Sequence, residues 1–233
     1  YGGHPNYGNR ASNGGGAVRL EVAGHACING TVNANGGPYH STSGYTGSGG
    51  AIWISCGTFA STNGHFTAEG RDHVGGGSGG GRIAITYDTV AQSLLPPVQA
   101  VFSARGGANL TVGVGCVDGE PGTLYFSDRQ LLGDMPWYHS GQLNFADVTD
   151  TITFTDLIMS NGHIRLPAGI TTVAVDGDLI VDGIKGRFEI GGGGHYAVLR
   201  GPWRHQTPAP APTMVTVAGD AIVCGGATLW LIP

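Results

Sequence analysis

Carboxylates and histidines are the side chains of this sequence that could perform acid–base or metal chemistry, with 16 acids and 9 histidines in 233 residues. A polysaccharide lyase needs a carboxylate cluster that holds Ca²⁺ and a basic residue that abstracts a proton, whereas a hydrolase needs neighbouring acids on adjacent strands. The acids here are dispersed along the chain, and Lys185 is its single lysine. The sequence therefore predicts a protein that is not an enzyme, with no catalytic residue and no cofactor.

Three aspartates, Asp156, Asp178 and Asp220, each precede an apolar segment and could fall at one register of a stacked structure. There they would form either a ladder of turn side chains that bond to the backbone or a cation site, and the ladder is the simpler interpretation. The histidines stand singly, without metal-ligand spacing, although stacking could bring His25 and His65 near each other. No metal site is predicted.

Outward aromatic side chains suit contact with a glycan or with another protein surface. Trp53 and Trp230 alternate with Ile or Leu along their segments, so both are predicted to face outward. Glycan binding is a hypothesis that depends on whether acids and outward rings converge in one groove once the chain is folded.

The run of glycines and one serine at 75–81 resembles an anion-binding loop only superficially. No Gly-Lys-Ser/Thr follows it, and the corresponding places elsewhere in the chain are also glycines that precede a strand. The favoured interpretation is structural: glycines permit positive φ at corners and allow neighbouring loops to pack backbone against backbone.

The composition favours a folded chain of short strands and turns. The 44 glycines and 12 prolines make up about a quarter of the residues, which disfavours long helices. Charged residues are only 12%, the net charge is −5, and no basic cluster occurs, so nucleic acid is not an expected partner. No apolar run has the length of about 20 residues that a membrane-spanning helix needs.

Internal repeats dominate the sequence. The segment at 15–20 recurs at 49–54, and related segments begin at 80 and 122. In the C-terminal part, the apolar segments that follow Asp156, Asp178 and Asp220 repeat one another, with an insertion at 191–213 before the last. Each is followed by a second apolar segment, at 163–166, 187–190 and 228–231.

The repeated segments alternate apolar and variable residues, as in Val18, Leu20 and Val22, which is typical of strands with one buried face. Strands this short can bury that face only by stacking on similar strands. The sequence predicts an all-β, right-handed parallel β-helix (β-solenoid) of about seven coils with Gly-rich loops. We expect one domain over 1–233, with Gly-rich coils at 1–130 and more regular coils at 131–233 that carry a Pro-rich insertion at 202–213.

The segments at 15–20, 49–54, 75–85, 122–126 and 166–179 resemble the Gly-rich right-handed parallel β-helix repeats of large secreted and cell-surface proteins. This pectin-lyase-like superfold includes adhesins and autotransporter passengers. The resemblance covers most of the chain except roughly 127–150 and 191–213. It implies the fold and an extracellular or cell-surface location, and it leaves function open because the superfold hosts lyases, hydrolases, adhesins and fibres.

Two kinds of covalent modification are predicted. The even number of cysteines allows three disulfide pairings, and the candidates are Cys27, Cys56, Cys116 and Cys224. Asn29 and Asn109 each begin an Asn-x-Thr acceptor, so both are candidates for glycosylation in a secreted glycoprotein.

Self-association is the leading expectation for function. Neither end of the chain carries a polar cap, and identical solenoids stacked head to tail would cover both ends and propagate as a filament or surface layer. The competing interpretation is that the sequence is an excised piece of a longer chain, and the sequence does not separate the two. The candidate interface residues are Tyr1, Tyr7, Trp203, Pro208, Pro210, Trp230, Leu231 and Ile232. The alternative is a carbohydrate-active enzyme or a glycan-binding adhesin module on the same scaffold.

Overall fold

The computed structural model of the chain describes residues 12–38, 46–110, 118–132, 139–146, 151–160, 162–166, 170, 172–182, 187–190, 214–224 and 228–231. Within these ranges the regular elements are short strands and one four-residue helix. They are, in chain order, β1 (Ala17–Cys27), β2 (Thr31–Asn33), β3 (Ala51–Ala60), β4 (Gly64–Thr67), β5 (Arg82–Thr86), α1 (Thr89–Gln92), β6 (Ala100–Ser103), β7 (Thr123–Phe126), β8 (Gly141–Phe145), β9 (Thr151–Phe154), β10 (Leu157–Ser160), β11 (His163–Arg165), β12 (Thr172–Val175), β13 (Leu179–Asp182), β14 (Arg187–Ile190), β15 (Met214–Val217), β16 (Ala221–Val223) and β17 (Thr228–Leu231).

Every paired strand of the described residues runs parallel to its neighbour. The main sheet has eight strands in the order β1-β3-β5-β7-β8-β11-β14-β17. Three smaller sheets, β2-β4-β6, β9-β12-β15 and β10-β13-β16, collect the strands that lie between successive members of the main sheet. The all-β class is confirmed, and the stacked parallel sheets are compatible with a β-solenoid. No helix in the described part of the chain is long and apolar enough to cross a membrane.

Strand pairing follows the repeats that the sequence shows. Ala17 pairs with Ala51, its counterpart in the next repeat, and β5 and β7 continue the ladder from Arg82 and Thr123. In the C-terminal part, Leu157 of β10 pairs with Leu179 of β13, and the next pair of the ladder joins β13 to β16. The glycine-marked and aspartate-marked repeats therefore both identify the rungs of the stack.

Strands β1 and β3 are longer than the short strands expected, with 11 and 10 residues. Their register shifts by one residue between Val22 and His25, so the ladder continues past a bulge. Gly24 and Gly57 lie at this place, and a Cβ on Gly57 would be only 3.0 Å from the Gly24 carbonyl oxygen. Gly57 thus lets the paired strands stay close where the ladder bends.

The core is a set of aligned apolar rows inside the main sheet. One row consists of Ile52, Ile83, Leu124 and Leu143, all at most 1% exposed. Burial on this scale contributes about 1.5–3 kcal/mol per large apolar side chain, so stacking stabilises strands that are too short to fold alone.

Aromatic rings form a second internal stack across neighbouring strands. The ring of Phe66 lies 5.6 Å from Phe59 and 5.2 Å from Phe102, and Phe102 lies 5.0 Å from Phe126. These are favourable separations for aromatic pairs. His139 continues the stack, because its ring lies 5.4 Å from Phe102 at an interplanar angle of 23°.

The glycines at 75–81 serve backbone packing. A Cβ on Gly80 would be 1.9 Å from the Ala104 carbonyl oxygen, and one on Gly81 would be 2.0 Å from the Gly50 carbonyl oxygen. Only Gly76 in this run has a positive φ, 115°. The expectation of backbone-to-backbone contact is confirmed, whereas the expectation of positive φ holds at one position of the run.

Helix α1 lies in the connection between β5 and β6. Its N-cap Asp88 accepts hydrogen bonds from the backbone N–H groups of Val90 and Ala91. The buried Gln92 side chain accepts from the Phe59 N–H at 2.8 Å and donates to the Phe59 carbonyl at 2.9 Å. Because β3 extends beyond its partner β5, the backbone of Phe59 has no described strand to pair with on that side, and the Gln92 amide satisfies its N–H and carbonyl groups instead.

Candidate functional site: the outer face and edges of the main sheet

The outer face of the main sheet carries a row that runs across five strands. Residues Arg19, Trp53, Ala84, Tyr125 and Asn144 occupy one register from β1 to β8. Their neighbours along each strand are buried apolar residues for β3, β5, β7 and β8, so the row faces outward. The alternation in the sequence predicted this orientation for Trp53.

Trp53 is held on one side by a cation. The Arg19 guanidinium lies over the indole ring, 4.7 Å from its centroid. Nε of Arg19 donates to Oε1 of Glu21 at 3.2 Å, which restrains the guanidinium in this position. Cation–π contacts at exposed sites contribute about 0.5–1 kcal/mol, so the pair orients the ring more than it stabilises the fold.

A charged cluster occupies the other part of the outer face, around a fully buried carboxylate. Oε2 of Glu189 accepts from Nε of Arg165 at 2.5 Å, and Arg165 Nη1 donates to Oε2 of Glu120 at 2.5 Å. Oε1 of Glu189 lies 3.2 Å from His163 Nε2 and 2.5 Å from Arg187 Nε. Those last two are ion-pair contacts whose angles are not those of hydrogen bonds. Strands β11 and β14 bring the cluster together by pairing His163 with Arg187 and Arg165 with Glu189.

The electrostatics of this cluster keep its carboxylate ionised. Burial alone would raise the pKa of Glu189, but the contacts with His163 and Arg165 outweigh it and lower the pKa to about 2. For Arg165, burial would lower the pKa, but hydrogen bonds to Glu189 and Glu120 outweigh it and raise the pKa further. A carboxylate that is ionised and surrounded by basic groups is unsuited to donating a proton as a general acid.

Sequence reasoning missed this cluster. Its five members come from three separate segments of the chain, and only the registers of β11 and β14 bring the basic residues around Glu189. The visible signal was the alternation at 163–166 and 187–190, which puts the charged residues on the side opposite Ile164 and Phe188.

The two edges of the described stack expose apolar residues that are buried elsewhere. Val18 and Leu20 of β1 are each 37% exposed, although their partners Ile52 and Ile54 are 1% exposed. At the opposite end Val223 of β16 is 45% exposed, whereas its partner Val181 is fully buried. Sheet edges that have no partner strand among the described residues can pair with another strand.

Most of the predicted interface residues cannot be placed. Six of them, Tyr1, Tyr7, Trp203, Pro208, Pro210 and Ile232, lie outside the described residues, as does the rest of the Pro-rich segment. The backbone of Trp230 and Leu231 lies in β17, the last strand in the order of the main sheet.

The aspartates of the C-terminal repeats form the predicted ladder. Oδ1 of Asp156 accepts from the backbone N–H of Asp178 at 2.8 Å, and Oδ1 of Asp178 accepts from the N–H of Asp220 at 2.9 Å. Asn29 and Asn35 act similarly in the N-terminal repeats, accepting from the N–H groups of Thr62 and Glu69. These side chains link successive rungs to the backbone, as the ladder interpretation requires.

The histidines at 25 and 65 are not brought together by the described strands. His25 lies opposite Thr58 and contacts its hydroxyl at 2.8 Å, whereas His65 lies opposite Thr31. The stacking does not place His25 beside His65, because the two residues belong to different sheets. Among the residues with described positions, no three His, Cys, Asp or Glu side chains group as a metal site would require.

Three of the four cysteines are described, and none of these three is bonded to another of them. Cys27 pairs in register with Ala60, four residues beyond Cys56, which puts the two thiols too far apart for a disulfide. Burial raises the pKa of Cys56, and the hydrogen bond to Asp182 raises that of Cys224. A pairing that involves Cys116 lies outside the described residues and stays a prediction.

The two glycosylation candidates differ in exposure. Asn29 is exposed, and its Oδ1 accepts hydrogen bonds from the N–H and hydroxyl of Thr62. Asn109 is half-buried, and its backbone N–H donates to Asp118. Modification of both stays a prediction, with Asn29 the more accessible acceptor.

A pocket of about 250 Å³ with charged and apolar lining residues lies beside the first three repeats. Its charged groups already have partners: Arg105 Nη1 lies 2.9 Å from Asp72 Oδ1, and Ser103 donates to Glu69. Nε of Arg71 donates to the Gly36 carbonyl. Opposite charges thus offset each other in the wall of the cavity, and no class of ligand is favoured by its charge.

No protein-family model, curated protein or solved structure matches the chain. The assignment of function therefore rests on the geometry of the outer face and of the two edges.

Proposed function

We propose that this chain is a non-catalytic extracellular structural protein, a single right-handed parallel β-helix that associates end to end with further copies into a filament or cell-surface layer. The observation that carries the proposal is the exposure of Val18 and Leu20 at one edge of the stack and of Val223 at the other. Each of these side chains occupies a register position that is buried in the neighbouring repeats.

End-to-end association would continue the existing geometry. All described strand pairs are parallel, so the β1 edge of one copy and the last strands of another can pair in the same sense. Such a contact is heterologous, because two different surfaces meet, and it propagates without closing. Burying the exposed edge residues supplies the hydrophobic driving force.

The state of the acids supports a non-catalytic role. Asp156 and Asp178 accept backbone hydrogen bonds, and Glu189 is neutralised by the basic groups around it. The carbohydrate-active enzyme alternative requires a carboxylate that can exchange a proton near neutral pH. The carboxylates of Asp156, Asp178 and Glu189 instead make contacts that hold the strands together.

The proposal is tested by sedimentation velocity and negative-stain electron microscopy over a range of concentrations. We expect the wild-type chain to form particles with a regular axial repeat. Leu20→Glu and Val223→Glu each block one edge, so each variant should remain monomeric. Leu94→Glu is the matched control, since Leu94 is 83% exposed and belongs to neither edge.

Mixing the two blocked variants makes the test sharper. The intact C-terminal edge of Leu20→Glu can meet the intact β1 edge of Val223→Glu, so the mixture should give a heterodimer and nothing longer. Far-UV circular dichroism verifies that each variant is folded. A wild-type chain that stays monomeric at every concentration, or a Leu20→Glu variant that assembles normally, would overturn the proposal.

A further inference from the structure

The outer row of the main sheet contains a slot between two aromatic side chains. Trp53 on β3 and Tyr125 on β7 occupy the same register, and Ala84 on β5 lies between them. Neighbouring parallel strands are about 4.8 Å apart, so the two aromatic residues are separated by about 9.6 Å. The small side chain of Ala84 leaves the space between them open.

The orientation of Trp53 follows from its contact with Arg19. The guanidinium comes from the adjacent strand and lies over the ring, 4.7 Å from its centroid, which is close to the strand spacing. The ring therefore stands with its normal along the stacking direction. One face is covered by Arg19, and the opposite face looks across Ala84 toward Tyr125.

The dimensions of the slot suit one inserted ring. A ring midway between the two aromatic residues would lie about 4.8 Å from each, within the range of about 4.5–7 Å for favourable ring contacts. A side chain any larger than alanine at position 84 would occupy this volume. The slot is thus one ring thick, too narrow for a helix or a strand of another protein.

Polar groups surround the slot on the same face. Arg82 and Thr86 flank Ala84 along β5, and Ser55 and Thr123 lie on the neighbouring strands. Within the described part of the chain neither the Trp53 indole nor the Tyr125 hydroxyl makes a hydrogen bond, and Tyr125 is 37% exposed. Aromatic walls with hydrogen-bonding groups at the rim match a ligand with two apolar ring faces and polar substituents at its edge.

We propose that the slot formed by Trp53, Ala84 and Tyr125 binds one pyranose ring of a polysaccharide. The C–H faces of the sugar stack against Trp53 and Tyr125, and its equatorial hydroxyl groups reach the polar side chains of the rim. Arg82 can donate to a hydroxyl group or to the carboxylate of a uronic acid. The slot is centred on β5, the third strand from the β1 edge, so end-to-end association leaves it open.

Isothermal titration calorimetry with cellohexaose and with hexagalacturonate tests the proposal. Ala84→Leu fills the slot without removing an aromatic wall, and Tyr125→Ala removes one wall. Each should weaken binding about tenfold or more. Asn144→Ala, the next position of the same row, is the matched control and should change the Kd by less than about twofold.

Comparing the two saccharides shows whether the slot prefers a neutral or an acidic polysaccharide. Tighter binding of hexagalacturonate that is lost in Arg82→Ala identifies an acidic glycan, whereas equal binding of both identifies stacking as the main contribution. Repeating the titration on Leu20→Glu separates glycan binding from self-association. If neither saccharide shows saturable binding, or if a folded Ala84→Leu variant binds with unchanged affinity, the proposal that the slot binds a pyranose ring is refuted.

Discussion

The N-terminal and C-terminal repeats differ in how closely the backbones of successive rungs approach each other. In the N-terminal repeats, Gly50, Gly81 and Gly122 recur at one place before β3, β5 and β7, and the backbone of one rung lies directly against that of the next. In the C-terminal repeats, the Oδ1 atoms of Asp156 and Asp178 reach the backbone of the following rung. Both regions use side-chain acceptors, with Asn29 and Asn35 in the N-terminal repeats, but the N-terminal region adds direct backbone packing at these glycines.

This difference predicts different tolerance to substitution. A Cβ on Gly81 would lie 2.0 Å from the Gly50 carbonyl oxygen, and one on Gly122 would lie 1.9 Å from that of Gly81. Backbone atoms cannot move aside as a flexible side chain can, so these contacts resist any added atom. An aspartate acceptor, by contrast, is replaceable by any side chain that offers an oxygen in the same place.

Gly81→Ala should therefore give the largest loss of stability. We expect a decrease in the free energy of unfolding of more than about 3 kcal/mol, measured by urea denaturation, because the added Cβ forces two strands apart. Gly24→Ala is the matched control, since nothing lies within 4 Å of a Cβ built there. Equal losses in the two variants would show that close backbone approach is not what the glycines provide.

The boundary between the two regions should be sensitive to mild acid. The His139 side chain is buried, its Nδ1 accepts from the Phe102 N–H at 3.1 Å, and burial lowers its pKa to about 4. In the unfolded chain, His139 binds a proton from about pH 6.5 downward, whereas in the folded chain it stays neutral to about pH 4. The free energy of unfolding is therefore unaffected by this group above pH 6.5 and falls by about 3 kcal/mol as the pH reaches 4.

Thermal unfolding between pH 7 and pH 4 measures this effect. His139→Phe keeps an aromatic ring beside Phe102 and should remove most of the decline over that window. Glu189, whose pKa is about 2, loses its contribution at lower pH, between about 4.5 and 2, so the two groups are separable. A variant that declines as steeply as the wild type would exclude His139 as the acid-sensitive group.

The sequence was sufficient to predict the rungs but not the charged cluster. Periodicity identifies Ile52, Ile83 and Leu124 as one inner row, because alternation and glycine position repeat together. The cluster around Glu189 depends on which outward-facing residues of β11 and β14 lie side by side. The lengths of the connections between the strands determine this register. Strand β8, in a segment outside the resemblance, pairs with both β7 and β11.

The long first strands and the Gln92 contact were also beyond prediction. A bulge of one residue lets β1 and β3 continue, and the original offset of the repeat returns at Thr31 and His65, so the repeat in the sequence hides it. Gln92 is buried because β3 extends beyond the end of β5 and the Gln92 side chain pairs with the backbone of Phe59. This difference in strand length is visible only in the folded structure. Compensating shifts and unequal strand lengths leave no periodic signal.

The smallest effect tests the aspartate ladder itself. Asp178→Ala removes the acceptor for the Asp220 N–H and should lower the free energy of unfolding by about 1 kcal/mol, because the bond is exposed and water can replace it in part. Asp178→Asn keeps an oxygen at the same position and should stay close to wild type. If Asp178→Asn were as destabilised as Asp178→Ala, the charge rather than the hydrogen bond would hold the rungs. The contrast between a backbone-packed region and an acceptor-linked region would then have to be drawn in electrostatic terms.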